Sequence, residues 1–201
     1  MIEDRQTIVK GSIVMRGKTQ YSFLNKLAKS GGIVIWGSTT LAELPVNELL
    51  KNYDVSRCIY NRSIPGLTLS DAEEYLDVCV LELSPEKLII NLGEEDISRG
   101  ADVTALIEQY RWLLYRVHLA LPECSLIITG VRGSGELHEK YNKALGKLAD
   151  EFGCLFCPVE GGTAEEEYGL AFLGSVRLSL YDDNLNYSDI ASRAVISALM
   201  H

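Results

Sequence analysis

Three small hydroxylated residues, Ser38, Thr39 and Thr40, follow directly on the apolar run Ile33-Val34-Ile35-Trp36-Gly37. A hydroxyl becomes a nucleophile only with a base in hydrogen-bond reach; otherwise, at such a junction, it caps the next helix by accepting from its free N–H groups. Two acidic stretches offer partners. Glu94, Glu95 and Asp96 lie in one loop, and Asp182 and Asp183 in another. Brought together, they would make an acid/base pair or a hard-cation site; kept apart, they cap local backbone and aid solubility, with Glu94 solvated. Arg62, Arg132 and Trp36 sit in or beside loops that open at the same level. An arginine there would clamp an anionic ligand or neutralise Glu95. Of the three histidines, His118 reads as a surface or core-rim residue, His138 opens a helix near the crevice and His201 is the last residue.

The elements that would hold these residues alternate along the chain. Strands are expected at 33–37, 55–60, 87–92, 125–129 and 154–159, from short apolar runs bounded by turn residues. Helical spacing falls at 41–52, 69–83, 103–119, 137–152 and 188–199. Asp102 is placed to cap the third of these helices and Pro122 to end it. Five alternations with helical crossovers predict a parallel sheet covered on both faces, a three-layer α/β/α sandwich of flavodoxin-like type. In such sheets the ligand crevice lies beyond the carboxyl ends of the strands, where Ser38, Thr39 and Thr40 fall. Residues 1–31 read as an N-terminal extension, with a hairpin near 8–15 and a helix at 21–29, packing on the domain 32–201 or on a second copy of it.

The composition narrows the classes of function. With 201 residues, 47% of them hydrophobic, the chain suits one domain with a full core. Its net charge of −9 disfavours nucleic acid and anionic membrane surfaces. No run approaches the ~20 apolar residues of a membrane span, and the start lacks the pattern of a signal peptide. A cytoplasmic location is therefore expected, as is reduction of the five cysteines. Cys154 and Cys157 match a C-x-x-C spacing, but strand geometry points residues three apart to opposite faces. No metal and no cofactor is expected.

The loops at the strand ends resemble, in order, the blocks of the SGNH (GDSL-type) hydrolases. Gly37-Ser38-Thr39 resembles their Gly-Asp-Ser, Asn61-Arg62-Ser63-Ile64-Pro65-Gly66 their second block, Gly93-Glu94-Glu95-Asp96 their Gly-x-Asn-Asp, and Asp183-Asn184-Leu185-Asn186 their Asp-x-x-His. The resemblance covers about residues 32–199. It implies an acyl-ester hydrolase ancestry (esterases, lipases, carbohydrate-ester deacetylases), with a small-molecule or carbohydrate-ester ligand. It also implies site positions: Thr39 for the nucleophile, Gly66 and Glu95 for the oxyanion hole, Asp183 and Asn186 for the orienting acid and the base. Ser38 reaches the nucleophile position only through a one-residue shift.

Most of those positions are substituted. An amide at Asn186 has no lone pair that titrates near neutral pH, and loss of a triad histidine costs about a millionfold in turnover. A carboxylate at 95 removes an oxyanion donor, worth on the order of 10²–10³, and adds like-charge repulsion. Three readings follow. In the first, the standard Ser-His-Asp mechanism is gone and a small-ligand crevice remains. In the second, an active ester hydrolase uses Thr39 or Ser38 with Glu95 or His138 as an unorthodox base. In the third, a non-catalytic assembly protein forms oligomers through the N-terminal extension.

Overall fold

The computed structural model describes residues 17–43 and 58–158. Its centre is a five-stranded, all-parallel sheet of order β2-β1-β3-β4-β5, with β1 Ile33–Gly37, β2 Ile59–Asn61, β3 Lys87–Asn91, β4 Ser125–Thr129 and β5 Leu155–Cys157. Helices flank it: α1 at 17–25, α2 Thr39–Ala42, α3 Leu69–Cys79, α4 Glu94–Ser98, α5 Val103–Ala120 and α6 Glu136–Phe152. This is the α/β architecture expected from the alternation of apolar runs and helical spacing.

Alternation along the strands divides the core. Val34, Trp36, Leu88, Ile90, Leu126 and Ile128 join one cluster with the inner faces of α3, α5 and α6. Ile33, Ile35, Ile89 and Ile127 point to the opposite face and are just as deeply buried. A sheet apolar on both faces has to be covered on both, which is why these strands read as unbroken hydrophobic runs. The starts of α3 and α5 follow their capping residues. The Asp102 side chain accepts from the Ala105 N–H at 2.9 Å, and Thr68 does the same for Asp71.

The helix expected at 21–29 lies at 17–25, and two further elements differ from expectation. The helix expected over 69–83 ends at Cys79 and gives way to a 3₁₀ turn, Leu81–Leu83, because Val80 leaves helical geometry so that both it and Leu83 reach the core on the way to β3. The loop expected at 93–96 is the start of α4. Three acidic residues in its first turn suit the positive end of the helix dipole. The hairpin expected near 8–15 lies outside the described residues. The described part of the extension rests on the domain: the Tyr21 hydroxyl donates to the Ser63 carbonyl at 2.6 Å, and the Asn25 amide donates to the Val78 carbonyl at 2.7 Å.

Candidate functional site

The strand order places a switch point between β1 and β3, since the chain leaves β1 toward β2 on one side and returns to β3 on the other. Loops diverge there, at the place where open α/β sheets bind their ligands. Gly37 and Asn91 are in register at this point, and a Cβ on Gly37 would lie 2.3 Å from the Asn91 carbonyl oxygen. Only glycine allows β1 to leave so close to β3. The Ser38 N–H donates to that same carbonyl at 3.2 Å, and Thr39 then opens α2.

The second loop is shaped by its own turn. The Leu67 N–H donates to the Ile64 carbonyl at 3.1 Å across Pro65-Gly66, and Gly66 has φ +77°. Proline followed by a left-handed glycine is the signature of a type II turn. This turn presents the Gly66 N–H to Thr39 Oγ1 at 3.0 Å. Asn61 braces the arrangement, accepting from the Ser63 N–H and donating to the Leu41 carbonyl at 2.7 Å.

The third loop supplies the carboxylates. Thr39 Oγ1 donates to Glu95 Oε1 at 2.8 Å, and Arg99 stands 3.5 Å from Glu95 Oε2. In parallel, Thr40 Oγ1 donates to Glu94 Oε1 at 2.6 Å, and the Thr40 N–H donates to Glu94 Oε2 at 3.2 Å. Asp96 turns the other way and accepts from the Leu69 N–H at the start of α3. Beneath the loop, the Asn91 amide donates to Thr129 Oγ1 and to the Gly130 carbonyl, tying β3 to β4. Two hydroxyls therefore meet two carboxylates across the switch point, each pair joined by charge-assisted hydrogen bonds.

Thr39, Gly66 and Glu95 thus come together. The other expected site residues fare differently. Neither Thr39 nor Thr40 caps α2, and Ser38, at its N-cap, makes no side-chain cap bond. Ser38 is fully buried, so the tight exit at Gly37 hides its hydroxyl from any substrate. Trp36 is also fully buried, as part of the core under α3, and does not line the crevice. Arg62 is 6% exposed. Its guanidinium lies between the rings of Tyr21 and Tyr60, 5.2 and 5.1 Å from their centroids, and its Nε donates to Asn25 Oδ1. It therefore neither clamps a ligand nor pairs with Glu95, whose cation is Arg99. The extension, 37 residues earlier in the chain, covers it. Burial lowers the Arg62 pKa and pushes the Tyr21 phenol and the neighbouring Cys79 thiol up to about 12 each.

Arg132 is half-buried in the loop after β4. His138, in the first turn of α6, packs its ring on Gly133, where a Cβ would lie 2.1 Å from Cδ2. His118 is exposed on the last turn of α5. No hydrogen bond among the described residues joins Thr39 to a histidine. Asp182, Asp183, Asn186 and His201 lie outside the described residues. Among the described residues no three His, Cys, Asp or Glu side chains are placed to hold a metal ion, and the five cysteines are free thiols. No described helix is long and apolar enough to cross a membrane.

 Solvation was the expectation for Glu94, yet it holds Thr40 as firmly as Glu95 holds Thr39. The signal available was the matched order of two hydroxyls after one strand and two carboxylates after its neighbour. Asn61 and Asn91, which brace the loops from below, carry no such signal, because asparagine at a strand end also reads as an ordinary turn residue.

No protein-family model and no curated protein sequence matches the chain. Solved structures do. A structure from Streptococcus pneumonia provisionally assigned as a platelet activating factor superposes with a TM-score of 0.74 at 17% identity, covering 100% of this chain and 97% of that one. A provisionally assigned GDSL-like lipase from Parabacteroides merdae gives 0.56 at 17% identity, over 85% of this chain and 96% of that one. AlinE4, an SGNH-hydrolase family esterase, gives 0.54 at 16% identity, over 64% and 76%. The chain has the fold of the SGNH/GDSL-type hydrolases. At these identities the likeness fixes the architecture and leaves the chemistry to the residues.

Proposed function

We propose that this chain is an SGNH-fold protein that has left acyl-ester hydrolysis and keeps its crevice for binding a small polar or carbohydrate-like ligand. The observation that carries this reading is the hydrogen bond from Thr39 Oγ1 to Glu95 Oε1 at 2.8 Å. An ester hydrolase needs donors where the carbonyl oxygen becomes negative. Here a carboxylate stands at the resemblance's oxyanion position, and the Gly66 N–H is already engaged by Thr39 Oγ1. Both roles of the hydroxyl, donor and acceptor, are taken up within the protein. The ligand that such a crevice favours is one that donates hydrogen bonds to carboxylates, as a polyol does.

The same hydrogen bond also supports a second reading, in which Glu95 takes the Thr39 proton as general base, since a base has to lie within about 3.2 Å of the proton it removes. Hydrolysis of a short-chain aryl acetate separates the two. The first reading expects the wild-type chain and Thr39→Ala to be equal to each other and to the buffer rate. Turnover above that rate that disappears in Thr39→Ala and in Glu95→Gln would establish the second reading instead.

A further inference from the structure

We propose that the outer face of α5 is a docking surface for a basic, arginine- or lysine-bearing segment of a partner protein. The middle helix of the α3-α5-α6 layer turns Tyr110, Leu113, Leu114 and Val117 toward the core. Its outer side should then be polar. Instead, Trp112, Tyr115 and Leu119 are 55%, 50% and 71% exposed, at the spacing of a single stripe. The rings of Trp112 and Tyr115 stack on each other at 5.6 Å between centroids, so the pair forms a fixed platform in open solvent.

A groove runs along each side of the platform, and Trp112 and Glu108 line both. The first, of about 340 Å³, has Leu69 and Leu113 among its apolar lining, two carboxylates in Glu73 and Glu108, and no cationic side chain among the described residues. The second, of about 350 Å³, adds Tyr115, Phe152, Glu151 and the single cation Arg111. Arg111 is shared between Glu108 and Glu151, and Arg116 between Glu73 and Asp77. Four carboxylates thus answer to two guanidinium groups, and the excess is negative beside exposed aromatic faces. A guanidinium or ammonium group fits this combination, with its stem on the apolar lining, its charge over Trp112 and its donors on the carboxylates. A second copy of this chain fits poorly, because each copy carries a net charge of −9.

Hexa-arginine amide is the probe, titrated against the full chain in 0.15 M salt by calorimetry and by fluorescence. Trp36 is buried, so a fluorescence change reports Trp112. Saturable binding is expected, weakened at least tenfold in Trp112→Ala and in the double variant Glu73→Gln/Glu108→Gln. It should be unchanged in Glu136→Gln/Glu139→Gln, whose sites lie at the other end of α6, about 18–22 Å along the helix from Glu151. Equal loss in both double variants, or none in Trp112→Ala, would mean diffuse charge attraction and would overturn the proposal. Binding of neutral maltohexaose in place of the peptide, or a dimer in sedimentation that Trp112→Ala dissolves, would overturn it as well.

Discussion

Two charged groups sit just past the carboxyl ends of the strands on either side of β1, and they are satisfied in opposite ways. Glu95, after β3, meets a hydroxyl on one oxygen and a guanidinium on the other, in a spot open enough to leave its side chain 22% exposed. Arg62, after β2, meets two tyrosine rings and an asparagine, with no carboxylate at salt-bridge distance among the described residues. Arginine tolerates this because its flat, weakly hydrated cation stacks on aromatic faces. The contrast shows that a charged residue in a crevice-level loop is no guide to its role until its partner is known. Glu95 holds a hydroxyl across the switch point, whereas Arg62 fastens the segment bearing Tyr21 and Asn25 to the loop after β2.

The largest effect should come from breaking the Arg62 cradle. Arg62→Met keeps much of the bulk but leaves Asn25 Oδ1 without its donor and removes the cation between two rings, for a loss of about 2–3 kcal/mol in urea unfolding. The N–H groups at the end of α1 should then exchange early. Alkali strains the same region without a substitution. Cys79 and Tyr21 have folded pKa values raised to about 12, above their ordinary 9 and 10, chiefly through burial. The unfolded chain therefore releases these protons first. Stability should hold below about pH 9 and fall steadily as the pH rises toward 12, and Cys79→Ala should flatten the lower part of that decline.

At the switch point the expected effects are smaller. Thr39→Val keeps the shape but leaves the Gly66 N–H without its acceptor and Glu95 without its donor, a loss of about 1–2 kcal/mol by urea unfolding. Arg99→Ala removes only an exposed ion pair and should cost less than about 0.5 kcal/mol. If Arg99→Ala cost as much as Thr39→Val, Glu95 would be held by its ion pair and the comparison with Arg62 would lose its point.

Much of the fold was legible because it is local. Apolar runs mark the strands, β4 falls at 125–129 as read, and Asp102 and Pro122 bound α5 as their chemistry requires. The order of the loops pointed to the fold, and it also brought Thr39, Gly66 and Glu95 into view as a group. What stayed hidden depends on contacts across long stretches of chain. Whether Ser38 or Thr39 faces outward is decided by the close approach of Gly37 to Asn91, 54 residues away. That Arg62 is covered depends on Tyr21 and Asn25, in a segment whose pattern says little about where it packs. The pairing of Thr40 with Glu94 is likewise a property of two neighbouring strands and not of either sequence alone.

The central claim is that the Thr39 hydroxyl is engaged by Glu95 and not activated by it. A fluorophosphonate probe tests this in a single turnover, because it reacts irreversibly with an activated hydroxyl and its adduct is read by intact mass. The account predicts that prolonged incubation with the wild-type chain leaves its mass unchanged. A stoichiometric adduct that maps to Thr39 and is lost in Thr39→Ala would contradict it.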